Sequence, residues 1–401
     1  MERSHSAHEG MRAFLIFIPP MSKPHLPNLN QINRVLIIRL SSIGDVVHAT
    51  PLSVALSEAF PHLEISWLVE EMSAEIVQGN PYLKEVIVVP RSRWKKGGWN
   101  SLHIWREKLA FLSSLRARKF DLTLDLQGYA KSGVMALATG AKHRIGWRRL
   151  RDGSEWISQA VPPRPESLHR VEWFLDVVGA LGVQTETVNF PLTIPDSARQ
   201  SLNTKLNAYG IEASRPYLVL NLATGNEVRR WGVEKYAELV LEIARRHPYS
   251  LILIGSKKDK PLNQALLDRI KPHYPESLPP PVDLAGETNL KELMALLEQT
   301  AVHITGDTGS THIAAAMGIP TLSLYGPTDP VHAGAWGQAE RTLSHRELCT
   351  RGCGGKECAH PCLRKHPATE AGESPNVAAC LDAITAQDVL KLLEALPNVP
   401  N

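Results

Sequence analysis

The stretch from Arg34 to Phe60 constrains the fold more than any other part of the chain. Val35 to Leu40 is a short apolar run broken only by Arg39 and rich in β-branched residues. That is the pattern of a strand buried on both faces of a parallel sheet. Beyond Pro51, residues Leu52, Ala55, Leu56 and Ala59 recur at helical spacing. The polar segment Ser41-Ser42-Ile43-Gly44-Asp45 therefore falls at the carboxyl end of a first strand, where open α/β sheets place their ligands. A single glycine stands where a dinucleotide-binding turn needs three, which excludes that fingerprint. A hydroxyl pair followed by a carboxylate suits holding a sugar and taking a proton from one of its hydroxyls. The plain alternative is that Asp45 caps the helix that follows. Position alone does not choose between them.

The same alternation continues down the chain. Glu64 to Val69 and Glu85 to Val89 read as strands, with Asn80-Pro81 as the turn before the second. Asp121 to Leu126 reads as another strand, running through Gln127 and Gly128 into an alanine-rich helix that ends near Thr139. Strands alternating with helices predict a doubly wound parallel sheet. Asp125, Gln127 and Lys131 then share a sheet edge with Asp45. Arg91 to Trp99 reads as a basic, aromatic, glycine-containing loop, and Lys142, His143, Arg144, Arg148, Arg149 and Arg151 form a second basic cluster. Either alone is an ordinary solvated face. Two on the domain that carries Asp45 favour an anionic ligand whose carboxylates or phosphates arginine grips in a bidentate way. Arg91 and Arg93 thus join Ser41, Ser42, Gln127 and Lys131 as candidates for holding it. His169 opens an amphipathic helix that closes this half.

A second α/β pattern starts at Pro216 to Leu222, followed by the polar loop Ala223-Thr224-Gly225-Asn226, then Arg229-Arg230-Trp231 and a helix from Val233 to Arg246. Tyr249 to Ile254 reads as the next strand, and a further helix begins near Leu290. Two successive halves of this kind predict two Rossmann-like, doubly wound domains facing a central cleft. In Val302 to Pro330 a strand runs into Gly306-Asp307-Thr308-Gly309-Ser310-Thr311-His312 and an alanine-rich helix. Such a turn aims backbone N–H groups and a helix N-terminus at an anion, and its hydroxyls add further donors. It lacks the lysine of a P-loop. A well-capped helix accounts for Asp307 alone; it accounts less well for Thr308, Ser310, Thr311 and His312 together.

At 401 residues the chain is long enough for two domains, and a composition of 43% hydrophobic and 21% charged residues is that of a globular protein. A formal net charge of +3 is too small to argue for nucleic acid. The expected organisation is an N-terminal extension over 1–31, poorly ordered, then domains over 32–195 and 196–375, and a C-terminal helical segment over 376–401. The apolar patch Phe14 to Ile18 is too short for a membrane span, which predicts a cytoplasmic protein. All five cysteines fall late; Cys349, Cys353, Cys358 and Cys362 are spaced densely enough in a loop over 349–362 for a structural metal, without the pairs of a zinc ribbon. The alternative is a set of reduced cysteines.

Taken together, the Ser41–Pro51 segment, Asp125-Leu-Gln127-Gly-Tyr-Ala-Lys131-Ser, Arg229-Arg-Trp and the Gly306–Pro330 segment resemble the lipopolysaccharide heptosyltransferases, in the right order and over nearly all the chain after residue 33. The resemblance implies the GT-B fold, with an acceptor-binding first domain and a nucleotide-sugar-binding second one. It implies transfer of heptose from ADP-heptose to the Kdo-containing inner core of lipid A, with inversion, at the inner-membrane surface. By position Asp45 is similar to the family's general base, with Ser41 and Ser42 beside it. Arg229 stands where the family usually has a lysine on the donor phosphates. Asp307, Thr308, Gly309 and His312 match the segment that holds ADP, beside Thr224 and Ser310. His169 and Glu172 match a helix that the family often continues with arginine, where this chain has Trp173. No Asp-x-Asp metal motif is evident at the donor site, so no cofactor is expected for the chemistry. A different sugar or acceptor on the same fold, or nucleotide-sugar binding without turnover, are the alternatives.

Overall fold

Each half of the chain builds one six-stranded, fully parallel sheet, and both sheets have the same strand order. The computed structural model describes residues 26–97, 101–212, 216–247, 249–348, 363–365 and 376–397. The first sheet comprises β1 (Arg34–Ile38), β2 (Glu64–Glu70), β3 (Glu85–Val89), β4 (Leu122–Asp125), β5 (His143–Trp147) and β6 (Gln159–Val161), ordered 3-2-1-4-5-6. The second comprises β7 (Tyr217–Asn221), β8 (Ser250–Leu253), β9 (Val282–Asp283), β10 (Val302–Gly306), β11 (Thr321–Tyr325) and β12 (Thr342–Ser344), ordered 9-8-7-10-11-12. Both are the doubly wound order whose direction reverses beside the first strand, and such reversals open a crevice at the carboxyl ends of the strands. In the first domain the crevice lies between β1 and β4, where Ile38 pairs with Asp125. In the second it lies between β7 and β10, where Asn221 pairs with Thr305.

Burial explains the apolar runs. Val35 to Ile38 and Leu218 to Leu220 are fully covered, because helices pack on both faces of each sheet. The basic stretch expected as a loop is instead a short helix, Arg91–Lys96. Nothing between those residues breaks a helix; Gly97, the first of the glycines that suggested a loop, stands just after it as the C-cap. Packed structure also starts before residue 32, since Leu29 already sits in the first domain's core. Residues 1–25 lie outside the described residues, as do Cys349, Cys353, Cys358 and Cys362. The C-terminal helix Ala386–Glu394 is capped by Thr385 and buries Val389, Leu390 and Leu393 in the second domain's core.

The domains meet through one continuous apolar cluster, which includes Val46 and Val47 from the first and Met294, Ile313 and Ala314 from the second. Polar contacts flank it. Glu75 Oε2 accepts from the backbone N–H of Leu290 at 2.7 Å, capping a helix of the other domain (Leu290–Glu298). Lys291 Nζ donates in return to the carbonyls of Gln78 at 2.8 Å and Thr193 at 2.6 Å.

Candidate active site

Beyond β1 the chain enters the helix Ile43–Ala49, with Ser42 at its N-cap position and Asp45 in its first turn. Both carboxylate oxygens of Asp45 are taken by guanidinium groups rather than by backbone N–H groups. Oδ1 meets Arg170 Nη1, while Oδ2 meets Arg39 Nη2 and accepts from Ser42 Oγ at 3.1 Å. Burial by itself would raise the Asp45 carboxyl, but Arg39 and Arg170 outweigh it and hold the group well below the usual carboxylate range. Asp45 is therefore an ion-paired carboxylate at the switch point, not a helix cap.

The two arginines differ in freedom. Arg39 is buried, donates also to the Leu126 carbonyl, and lies over the Phe174 ring at 5.4 Å. Arg170 begins the helix Arg170–Gly179 and its side chain is 25% exposed, against 5% for Arg39. Neither arginine was a candidate from sequence. Arg39 had left a trace as the one charge in an apolar strand; Arg170 had left none beyond its place after His169.

The other residues expected on this edge divide into two groups. Ser41 is half-buried and Ser42 exposed at the mouth of the crevice. Gln127 Oε1 accepts from the N–H groups of Leu40 at 3.1 Å and Ser41 at 3.2 Å, so it shapes the loop that carries them. Asp125 organises the β4 crest, accepting from the N–H groups of Gln127 and Gly128 and from Ser132 Oγ; burial nevertheless pushes it up to about 6. Lys131 and Arg91 share one carboxylate, Glu70, at 2.8 and 2.7 Å, and Arg93 pairs with Glu107. Those three cations are thus neutralised within the first domain.

Other cations of the first domain rest on aromatic rings instead. Arg148 lies over the Trp173 ring at 4.4 Å, Arg149 over Trp147 and Trp173, and Arg151 over Tyr129 at 4.2 Å. Burial lowers Arg149, and the charges of Arg148, Arg170 and Arg151 lower it further, so these guanidiniums act on one another. Trp173, where the family pattern has arginine, thereby carries a guanidinium on its face.

In the second domain Arg229 Nη1 donates to Asp307 Oδ2 at 2.6 Å, and Thr328 Oγ1 donates to the same oxygen at 2.7 Å. Burial alone would raise Asp307, but His312, Arg229 and Thr328 hold it low. An ionised Asp307 repels a phosphate, so its place in a donor site is to aim Arg229. Thr224 Oγ1 donates to the Asn226 carbonyl at 2.7 Å and its methyl lies against Gly306 at the β10 end. Thr308 is the N-cap residue of the helix Gly309–Ala316 and its side chain makes no cap hydrogen bond, leaving the hydroxyl at the crest. Ser310 faces inward: it is buried, with Oγ 3.0 Å from both Asn221 Nδ2 and His303 Nε2.

Gly309 and His312 sit where the two domains touch. A Cβ at Gly309 would lie 3.0 Å from Ile43 of the first domain, so close approach, with no left-handed backbone, is what glycine supplies there. The His312 imidazole packs edge-on against His48 with centroids 4.4 Å apart, and His48 meets His169 at 5.1 Å. Burial holds His48 well below its ordinary range and lowers His169 to about 3. His169 Nδ1 accepts from the N–H of Val171, and Nε2 lies 3.2 Å from the Gly334 carbonyl across the interface, as a neutral ring would be arranged. Glu172 accepts from the N–H groups of Leu168 and His169, completing a capping box.

Two Rossmann-like domains with an ion-paired carboxylate on one crest and an arginine-bearing, helix-backed turn on the other define a glycosyltransferase of the GT-B fold. The family model for glycosyltransferase family 9 (heptosyltransferase) matches residues 108–363, and the chain belongs to that family. It is 29% identical over 308 residues to lipopolysaccharide heptosyltransferase 1 of Escherichia coli K12, covering 76% of this chain and 91% of that one. It is 28% identical over 339 residues to the Pseudomonas aeruginosa protein of the same name, covering 83% and 86%. In structure it is similar to ADP-heptose lipopolysaccharide heptosyltransferase II of E. coli (TM-score 0.68, 22% identity, 90% and 98% covered). It is similar also to E. coli heptosyltransferase WaaC with ADP (TM-score 0.62, 24% identity, 90% and 99% covered). The expected fold, enzyme class and family are those found.

Proposed function

We propose that this enzyme moves a heptosyl group from ADP-L-glycero-D-manno-heptose to a hydroxyl of the Kdo- or heptose-bearing inner core of lipopolysaccharide. One observation carries the mechanism: the Asp45–Arg170 pair of the first domain and the Asp307–Arg229 pair of the second stand on two helix starts and strand ends that touch, Gly44 against His312 and Gly309 against Ile43. The names of the relatives support heptose as the sugar and lipopolysaccharide as the acceptor.

The step is a single displacement. Asp45 takes the proton of the acceptor hydroxyl, and the oxygen forms a bond to the anomeric carbon from the face opposite the diphosphate. The bond from that carbon to the phosphate oxygen breaks, and its electron pair leaves with ADP. Arg229 and the N–H groups at the start of the helix Gly309–Ala316 stabilise the charge that grows on the diphosphate. Inversion follows from a single attack. In this reading Asp307, the carboxylate on the donor crest, serves to hold Arg229 in place, together with Thr328.

Contact with the inner-membrane surface belongs to the same reading. Leu102, Trp105 and Leu109 are exposed along one face of the helix Leu102–Ala117, and Val134, Leu137 and Trp156 are exposed on the neighbouring elements. Lys95 and Lys96 on the preceding helix and Arg106 on this one are exposed, and such positive charge favours anionic lipid headgroups. No described helix is long and apolar enough to cross a membrane.

The test is mass spectrometry of Kdo2-lipid A incubated with the enzyme and ADP-heptose. A gain of one heptosyl unit supports the reading. An unchanged acceptor, with transfer from another ADP-sugar in parallel, replaces heptose with that sugar.

A further inference from the structure

A guanidinium on each oxygen of Asp45 stabilises its ionised form, which makes Asp45 as described a weak base for a hydroxyl. The base strengthens if one partner can leave. Arg39 cannot: it is buried, tied to the Leu126 carbonyl, and stacked on Phe174. Arg170 can. Its head is partly open to solvent, Asp45 is its recorded ion-pair partner among the described residues, and its buried Nε has no hydrogen-bond partner there. Three residues along the same helix, Trp173 carries the exposed guanidiniums of Arg148 and Arg149, which have no carboxylate partner among the described residues.

We propose that Arg170 is a latch on the catalytic base: it holds Asp45 until an anionic group of a substrate draws it away, which frees Asp45 Oδ1 for the acceptor hydroxyl. The proposal rests on the reading of Asp45 as the base. The anion is a carboxylate or phosphate, from the acceptor sugar or from the donor diphosphate. The crowd of arginines on the first domain favours the acceptor. Binding and base activation are then one event, and an enzyme without its anionic acceptor keeps its base quenched. The charged and titratable groups around the pair are Arg39, His48, His169, His312, Arg149 and Tyr325, with Asp125 acting on Arg39. Among the described residues, Asp45 is the carboxylate that Arg170 is paired with and must give up.

The test is a double-mutant cycle in binding, which requires no turnover. Wild type, Asp45→Asn, Arg170→Gln and the double variant are titrated by calorimetry with Kdo and, separately, with ADP. Asp45→Asn releases Arg170, so it should bind the anion about tenfold more tightly than wild type, the effect of one charge-assisted hydrogen bond. Arg170→Gln should bind it about tenfold more weakly, and Arg170→Lys should recover part of the loss. In the Arg170→Gln background Asp45→Asn should bring no gain. Coupling seen with Kdo places the anion on the acceptor; coupling seen with ADP places it on the donor. An equal gain from Asp45→Asn with and without Arg170 is simple charge removal and overturns the latch, as does no change with either probe. Because neither probe carries heptose, failure here is separate from failure to transfer heptose.

Discussion

Gly44 and His312 touch across the two domains: a Cβ placed on Gly44 would overlap the His312 imidazole. The contact is reciprocal, since Gly309, three residues before His312, lies under Ile43, the neighbour of Gly44. Two helix starts are thereby pressed together, and each brings its candidate site residues to the same crevice. Gly44→Ala should destabilise the protein by about 1–3 kcal/mol through overpacking. Gly309→Ala, with 3.0 Å of clearance, should cost less. Thermal unfolding checks both; a Gly44→Ala protein at least as stable as wild type would show that the domains separate freely there.

Ser310 separates fold from function on the donor crest. Its hydroxyl lies within hydrogen-bond distance of Asn221 and His303 inside the core, so Ser310→Ala should cost about 1–3 kcal/mol of stability. ADP affinity should stay within about twofold of wild type. A large loss of ADP affinity with unchanged stability would return Ser310 to the binding site.

Arg229→Ala should raise the ADP dissociation constant and lower kcat together, because the guanidinium that Asp307 aims is needed most as the diphosphate leaves. Arg229→Lys should restore part of both. Steady-state kinetics with calorimetry decide; an unchanged kcat in Arg229→Ala would take the residue out of the transition state.

Acid should unfold this protein early. His48, His169 and His303 are buried and lowered, the last two to about 3 and 4. Each binds fewer protons folded than unfolded below its ordinary value of 6.5, so its contribution is complete above that pH and is lost as pH falls. Asp125, raised to about 6, acts oppositely and gains as pH falls through that value. The histidines outnumber it, giving a net loss of about 1–3 kcal/mol per pH unit between pH 6 and 4. Urea unfolding midpoints across that range should fall steeply; a flat profile contradicts the neutral histidine cluster.

Much of this was legible in the sequence, and the limits have physical causes. The strands at Glu85–Val89 and the helix at Val233–Arg246 follow directly from apolar periodicity, and the crests follow from where those strands end. Charge pairing was not legible. Arg91, Arg93 and Lys131 read as free cations because Glu70 and Glu107 reach them only after folding. Arg170 and Asp45 are far apart in sequence, and only the packing of their two helices makes them a pair. The role of Gly309 was similarly hidden, because its neighbour Ile43 belongs to the other domain.

Asp45 ties stability to chemistry. Asp45→Ala leaves Arg39 and Arg170 without their carboxylate, so it should cost about 3–5 kcal/mol in folding, the usual effect of removing one partner of a buried pair. Asp45→Asn keeps the shape and an acceptor oxygen, which makes it the cleaner variant. The most direct test of the account follows acceptor mass and ADP release in the same sample, for wild type and Asp45→Asn, with ADP-heptose and Kdo2-lipid A. Wild type should add one heptosyl unit for each ADP released, and Asp45→Asn should be slower by about 10²–10⁴-fold while still binding ADP. Transfer by Asp45→Asn at the wild-type rate, or ADP released with no gain in acceptor mass, would contradict it.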